Sequence, residues 1–171
     1  NALIGAPAFT VGSSVNAGAA YLFDGTTGTL LQSFSNPAPT DFEQFGQEVA
    51  GVGNNIFISA PADNNSKGSA AGAVYLYDGS TAALLHTFLN PNTTGTDNDQ
   101  FGFSVAVTNN YILIGAPFRE NSDGSLFAVG SAFLYDANTL ALLKTYLDPI
   151  QTNVNVFGFA VDIFENNLII G

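Results

Sequence analysis

Few side chains in this sequence could carry out acid–base or nucleophilic chemistry. The 171 residues include one histidine, His86, and no cysteine. His86 aligns with Gln32 and Lys144 in a repeated segment, so this position accepts any polar side chain. A Ser-His-Asp or Cys-His arrangement therefore has no support, and neither has a zinc site built on nitrogen and sulfur ligands. We predict that the protein is not an enzyme.

Carboxylate and amide side chains are the remaining candidates for a site. They cluster in polar stretches between apolar segments, and the six candidates are Asp63, Asn65, Asp97, Asp99, Glu120 and Asp123. Such oxygens are the ligands that Ca²⁺ prefers, so calcium is the one cofactor left open. The alternative is turn formation, which Asp, Asn, Ser and Gly all favour. A glycosidase-like carboxylate pair is the least favoured alternative, because such a pair forms in space and leaves no sequence pattern.

The charge balance limits the partners of this chain. Three Lys and Arg residues stand against 14 Asp and Glu residues, which gives a net charge of −11. Nucleic acid and anionic membrane surfaces attract clustered basic residues, so neither is expected as a partner. Membrane insertion is not expected either, because no apolar run approaches the ~20 residues of a membrane-spanning helix.

Three short segments recur in the same order along the whole chain. The first begins with Phe-Gly and recurs every 56 residues, at Phe45-Gly46, Phe101-Gly102 and Phe157-Gly158. The second is apolar and ends in Gly5-Ala6-Pro7, Ser59-Ala60-Pro61 and Gly115-Ala116-Pro117. The third runs over residues 18–24, 72–78 and 130–136, and a Leu-Leu segment follows each copy.

These segments predict β-strands, because they are short, rich in β-branched and aromatic residues, and bounded by Gly, Asn, Asp and Pro. Four strands in each repeat of about 56 residues are typical of a β-propeller blade. We therefore predict an all-β fold of four-stranded antiparallel blades in tandem. The predicted units are 1–44 (strands two to four of a blade), 45–100 (a blade), 101–156 (a blade) and 157–171 (strands one and two of a blade).

The order Phe-Gly, Gly-Ala-Pro and Gly-x-x-Tyr-x-Phe resembles the FG-GAP repeat of integrin α-chain propellers and their bacterial relatives. The resemblance covers essentially the whole chain and implies a propeller blade with a role in extracellular adhesion or recognition. Family members commonly bind calcium in the connection between the first two strands of a blade. Here that connection is a short Asn-rich turn, at Gly53-Asn54-Asn55, Asn109-Asn110 and Glu165-Asn166-Asn167, which is too short to supply 6–8 oxygen ligands.

The repeat begins and ends in the same phase, which leads to a hypothesis about assembly. The first and last segments both belong to the Gly-Ala-Pro strand, and about three blades are fewer than the 4–8 of a closed propeller. We expect the chain to be part of a larger propeller or of a polymeric array, with copies of itself or further repeats as partners.

Two functions follow from these observations. The first is a non-enzymatic extracellular or cell-surface structural and adhesive protein, which assembles through its blade edges into a ring or filament. The alternative is a module that recognises a protein or glycan through the loops after the Ala-Pro strands, with or without calcium. Those loops differ in length and composition, and loops on a rigid scaffold often carry function.

Overall fold

The computed structural model describes residues 1–92, 97–121, 123–165 and 167–171. In this part of the chain every regular element is a strand: β1 (Ala2–Ala6), β2 (Ala19–Phe23), β3 (Leu30–Ser35), β4 (Val49–Val52), β5 (Asn55–Ala60), β6 (Ala73–Asp78), β7 (Leu84–Leu89), β8 (Ser104–Val107), β9 (Tyr111–Ala116), β10 (Ser131–Asp136), β11 (Leu142–Leu147), β12 (Val161–Phe164) and β13 (Asn167–Ile170). None of these residues forms a helix long and apolar enough to span a membrane.

The strands form four antiparallel sheets in which each strand pairs with its neighbours in sequence. Sheet 1 contains β1–β3, sheet 2 contains β4–β7, sheet 3 contains β8–β11 and sheet 4 contains β12 and β13. The predicted all-β fold with tandem blades is confirmed. The four sheets lie within the four predicted units, whose exact boundaries stay a prediction.

The hydrophobic core lies between successive sheets. Two equivalent ring pairs join neighbouring sheets: Phe34 contacts Tyr77 at 5.3 Å between centroids, and Phe88 contacts Tyr135 at 5.1 Å. At the third junction, Leu113 and Leu134 of sheet 3 are buried against apolar residues of β12 and β13. Because sheets 2 and 3 have a neighbour on each side, both faces of β6 and β10 are buried and little alternation of burial remains.

The Phe-Gly motif does not lie in the first strand of each sheet, where the sequence pattern had put it. The strands begin three or four residues later, at Val49, Ser104 and Val161. The physical reason is that the glycines take φ values near +90°, which are incompatible with a strand. The motif instead forms a junction between sheets, and we call it the Phe-Gly clamp: Phe45-Gly46 with Gly18, Phe101-Gly102 with Gly72, and Phe157-Gly158 with Gly130.

Two adjacent amides of each clamp bind to opposite sides. The amide of Phe101 donates to the Ala71 carbonyl in the loop of sheet 2 at 3.0 Å, whereas the amide of Gly102 donates to Gly115 in sheet 3 at 2.9 Å. Equivalent bonds join Phe45 to Ala17 at 2.9 Å and Phe157 to Val129 at 3.1 Å. Each clamp therefore links two sheets by main-chain hydrogen bonds that do not depend on side-chain identity.

The aromatic ring of the clamp fills the space behind this contact. Phe45 and Phe101 are fully buried, and each packs at 5.5 Å on an aromatic ring of its own sheet, Tyr75 and Phe133 respectively. Burial of a ring of this size contributes about 2–3 kcal/mol. Phe157 is half-buried, because the two strands of sheet 4 provide no ring equivalent to Tyr75 or Phe133.

Gly72 is the position where the clamp leaves no room for a side chain. Its φ is +83°, and a Cβ there would overlap the carbonyl oxygen of Phe101. We expect Gly72→Ala to lower the free energy of unfolding by about 3 kcal/mol or more, because backbone strain and a steric clash with main chain add together. Urea denaturation followed by far-UV circular dichroism measures the loss.

Gly51 provides the matched control for this substitution. It lies in β4, and a Cβ there would make only ordinary contacts at 3.5 Å with Asn55 and Ile56. Gly51→Ala is expected to change the stability by less than about 1 kcal/mol. Equal losses for the two variants would contradict the assignment of the clamp as the closest contact between the sheets.

Candidate functional site at the loop face

One end of the sheets carries three long loops and three connecting segments, which together form what we call the loop face. Their described residues are 7–18, 61–72, 117–121 and 123–130 in the long loops, and 36–48, 90–92, 97–103 and 148–160 in the connecting segments. Each long loop pairs with the connecting segment that follows it through a main-chain hydrogen bond: Phe42 N to Val15 O at 2.8 Å, Asn98 N to Ser69 O at 2.7 Å, and Val154 N to Phe127 O at 3.1 Å.

A side-chain oxygen supports each of these loop pairs. Oδ1 of Asp97 accepts the amide of Ser69 at 2.7 Å, and Oδ1 of Asp41 accepts the amide of Val15 at 2.8 Å. In the third pair Asn153 replaces the acid and accepts the amide of Phe127 at 3.0 Å. Because an amide oxygen serves equally well there, the candidate ligand Asp97 has a structural role that needs no metal.

A pair of one carboxylate and one amide closes each connecting segment; both members are buried in the first two pairs, and Asp148 is buried in the third. We call these the acid–amide pairs: Asn36 with Glu43, Asn90 with Asp99, and Asp148 with Asn155. The Nδ2 of Asn36 donates to Oε2 of Glu43 at 2.8 Å, and the Nδ2 of Asn90 donates to Oδ2 of Asp99 at 2.7 Å. In the third pair the acid comes first, and Asn155 donates to Asp148. The acid can therefore be the first or the second member of the pair, provided that the other member is an amide donor.

The acid–amide pairs were not predicted from the sequence, although a signal exists. Their first members directly precede Pro37, Pro91 and Pro149, and their second members stand two residues before the Phe of each clamp. The first member also accepts the main-chain amide two residues later, at 2.9–3.1 Å in all three copies. This Asx turn holds the segment where the chain leaves one sheet for the next.

Asp63 and Asn65, two of the candidate ligands, lie in contact in the second long loop. Oδ1 of Asp63 accepts from Nδ2 of Asn65 at 3.2 Å. Its Oδ2 accepts from the Tyr75 hydroxyl at 2.5 Å and from Nδ2 of Asn36 at 3.0 Å. Burial, and then the hydrogen bond to Asp63, raise the pKa of Tyr75 far above its ordinary value. Both oxygens of Asp63 thus face N–H and O–H donors, which a cation would have to displace.

Asp99 differs from the other buried carboxylates because its Oδ1 has no hydrogen-bond partner among the described residues. Burial raises the pKa of Asp99 to about 6, against the opposing effects of Asn90, Asn92 and Arg119. The equivalent oxygen of Glu43 accepts from the Thr40 hydroxyl at 2.7 Å. Thr96 occupies the equivalent sequence position, but it lies outside the described residues.

The two remaining candidate ligands are exposed in the third long loop. Oδ1 of Asp123 accepts the amide of Ser125 at 2.9 Å, and hydrogen bonds from Ser125 lower the pKa of Asp123. Glu120 lies close enough to Asp99 to raise its pKa. Within the described ranges, no group of three or more His, Asp or Glu side chains is arranged to hold a metal ion. Calcium binding at these six residues stays a prediction.

The opposite end of the sheets contains the short Asn-rich turns. They stand where family members commonly have a longer, calcium-binding connection. Asn54 donates there to Oδ2 of Asp78 at 2.9 Å, while Oδ1 of Asp78 accepts the amides of Ser80 and Thr81. Asp24 and Asp136 cap the equivalent turns in the same way. In the third of the Asn-rich turns, Asn166 lies outside the described residues. His86 is half-buried on β7, and its ring contacts Phe88 edge-on at 4.6 Å.

The fold and the repeated clamps define a β-propeller-type repeat protein. The sequence profile of the FG-GAP repeat matches residues 39–77 and 93–135, which include most of sheets 2 and 3. These two stretches of the chain are FG-GAP repeats, which confirms the resemblance. No curated protein matches the chain.

Asp99 gives a testable pH dependence. Its pKa is about 6 in the folded protein and 3.8 without the fold, so the folded state binds the extra proton between these values. The favourable contribution of this group to the free energy of unfolding is fully present below about pH 4, and it is lost as the pH rises through 6. Relative to Asp99→Asn, the parent protein should lose about 2–3 kcal/mol of unfolding free energy between about pH 4 and pH 7.

Asp123→Asn is the control for this experiment. The pKa of Asp123 is lowered, so its contribution is lost only as the pH falls below 3.8. The curves of Asp123→Asn and the parent protein should therefore run parallel between about pH 4.5 and pH 7. A parallel curve for Asp99→Asn over the same range would show that Asp99 titrates normally.

Proposed function

We propose that this protein is a non-enzymatic recognition module that binds a protein or glycan partner through the apolar residues of its loop face. FG-GAP repeats are typically non-catalytic, which supports the first part of the proposal. The extracellular or cell-surface location and the adhesive role belong to the same proposal, and the family resemblance supports them. A recognition module needs a rigid scaffold that presents variable loops, and the clamped sheets provide such a scaffold.

The backbone at Phe42 and Val154 carries this proposal. Both residues have left-handed φ values, +65° and +62°, and both side chains are 59% exposed. Left-handed φ is rare for aromatic and β-branched residues and costs about 1–3 kcal/mol. Asn98 takes the equivalent place in the second connecting segment with φ +60°, and Asn suits this conformation. Two strained and exposed apolar residues that the core does not use indicate a contact with a partner.

The partners of Phe42 and Val154 in the loop pairs are apolar as well. Val15 is 45% exposed and Phe127 is 57% exposed, and each accepts the main-chain hydrogen bond of its pair. The first and third junctions of the loop face therefore each present two neighbouring apolar side chains. The second junction presents Ser69 and Asn98 in the same geometry. Apolar and aromatic side chains held on a rigid frame are typical of the residues that dominate binding energy.

Substitutions of Phe42, Val154 and Asn98 distinguish a functional role of the apolar side chains from a structural one. Phe42→Asn and Val154→Asn should each raise the free energy of unfolding by about 1 kcal/mol, since Asn relieves the left-handed strain. Asn98→Val is the matched reverse substitution, and we expect it to lower stability by about 1–2 kcal/mol. Urea denaturation of the three variants measures these changes. A loss of stability in Phe42→Asn and Val154→Asn would mean that the folded structure itself requires these side chains.

Selection from a random peptide display library and a glycan array then tests recognition. Ligands selected by the parent protein should bind Phe42→Asn or Val154→Asn at least about tenfold more weakly, which corresponds to one lost apolar anchor. Asn98→Ala is the control and should leave binding unchanged. Ligands that bind all variants equally, or a selection that yields none, would contradict the proposed role of the loop face.

Self-association is a second candidate function, favoured by one observation at the outer rim of the sheets. The outermost strands each begin with two exposed leucines: Leu30-Leu31, Leu84-Leu85 and Leu142-Leu143. A register shift places the second leucine of each pair opposite no residue of the neighbouring strand. Such β-bulges disfavour pairing with a further strand, so the rim favours apolar side-chain contacts between copies over strand addition.

Negative-stain electron microscopy and light scattering test whether copies of the chain form a ring or filament. The parent protein should form assemblies, and the triple variant with Ser at Leu31, Leu85 and Leu143 should yield single particles, because its rim has lost apolar contact area. A triple variant with Ser at Thr29, Thr81 and Thr139 is the control. Single particles of the parent protein at all concentrations would exclude this second function.

A further inference from the structure

A small cavity lies where the inner strands of sheets 2, 3 and 4 begin, beside the clamps. Its volume is about 300 Å³, and its walls include Gln47, Glu48, Phe103, Ser104, Phe159 and Ala160. These residues occupy two equivalent positions of the repeat, directly after each Phe-Gly. Gln47, Phe103 and Phe159 share the first position, and Glu48, Ser104 and Ala160 share the second.

Two aromatic rings form one wall of this cavity. The centroids of Phe103 and Phe159 are 4.6 Å apart, and the Phe118 ring meets Phe103 edge-on at 5.7 Å. None of the three core clusters includes Phe103 or Phe159, and Phe159 is 48% exposed. The ring pair therefore lies outside the core clusters, and both rings belong to the walls of the cavity.

Glu48 places a carboxylate on the same cavity. The side chain is half-buried, and burial raises its pKa against a smaller, opposite effect of the Val49 main chain. No Lys or Arg lines the cavity. Ser104 and Ala160 at the equivalent positions show that the fold does not require an acid there. An unneeded, partly buried carboxylate is costly, and such departures from the rules of folding are expected at functional sites.

We propose that this cavity binds an alkylammonium group between the carboxylate of Glu48 and the rings of Phe103 and Phe159. A carboxylate beside aromatic rings stabilises an organic cation by charge and by cation–π attraction. The volume admits a group of that size, and the net charge of −11 attracts cations to the protein. The group belongs either to a small free cation or to a lysine side chain of a partner. The cavity is lined by the ends of the connecting segments and by the first residues of β8 and β12, so it goes beyond recognition through the loop pairs and does not involve Phe42 or Val154.

Choline chloride is the first probe, and its neutral carbon isostere, 3,3-dimethylbutan-1-ol, is the control ligand. NMR titration should show saturable upfield shifts of the choline methyl protons and shifts of the Phe103 and Phe159 ring protons. The isostere should bind at least about tenfold more weakly, because it lacks the charge. The peptides acetyl-Gly-Lys-Gly-amide and acetyl-Gly-norleucine-Gly-amide form the second arm. Saturable binding of choline but not of the lysine peptide identifies the source as a free cation. Saturable binding of the lysine peptide but not of choline identifies it as a lysine side chain.

Three variants complete the test. Glu48→Gln keeps the shape of the side chain and removes its charge, and it should weaken binding about tenfold. Phe159→Leu should weaken binding about fivefold. Glu120→Gln removes an exposed carboxylate of the loop face and should leave affinity unchanged. Cooperative urea unfolding with a midpoint close to or above that of the parent protein establishes that each variant is folded. Equal affinity for choline and its isostere, no effect of Glu48→Gln, or no saturable shift with either cation up to about 50 mM would overturn the proposal.

Discussion

The architecture depends on one contact, the approach of the main chain at the Phe-Gly clamps. A blade of this kind is apolar on both faces, so it is stable only when another blade covers each face. Side-chain packing alone would permit many relative positions of two twisted sheets. The bonds from Phe101 to Ala71 and from Gly102 to Gly115 fix one position, because they join consecutive amides to two different sheets. Glycine is required opposite Phe101, since any Cβ on Gly72 would occupy the space of its carbonyl group.

The polar interior follows from that constraint. A chain that passes from the outer strand of one sheet to the inner strand of the next must bury part of its connecting segment. The acid–amide pairs satisfy buried polar groups at this passage, and buried groups without partners would be costly. Glu43 and Asn155 occupy the same position of the repeat, yet one is an acid and the other an amide. The fold therefore depends on the pairing of an acid with an amide and not on the charge at a given position. The loop face is thereby held rigid enough to present strained residues such as Phe42.

The fold could be predicted well from the sequence, because the copies of the repeat can be aligned with one another. Phe45, Phe101 and Phe157 recur at a fixed spacing, and turn residues bound every strand, so the tandem sheets could be derived without coordinates. The interpretation of Phe-Gly as part of a strand was wrong in detail, because hydrogen bonding between sheets leaves no periodic signal. The contact of Asp63 with Tyr75 and the position of Glu48 and Phe103 on one cavity are set by how the sheets stack. Composition alone therefore could not reveal them, nor the left-handed backbone of Phe42 and Val154.

Native-state hydrogen exchange tests the central role of the clamps most directly. The amides of Phe45 and Phe101 bond between sheets, whereas the amides of Ile58 and Ile114 lie in strands within the core. If the clamps hold the sheets together, all four amides should exchange only through global unfolding and report the same free energy. Exchange of Phe45 and Phe101 at a free energy lower by about 2 kcal/mol or more would show that the sheets separate while they remain folded, and it would contradict this account.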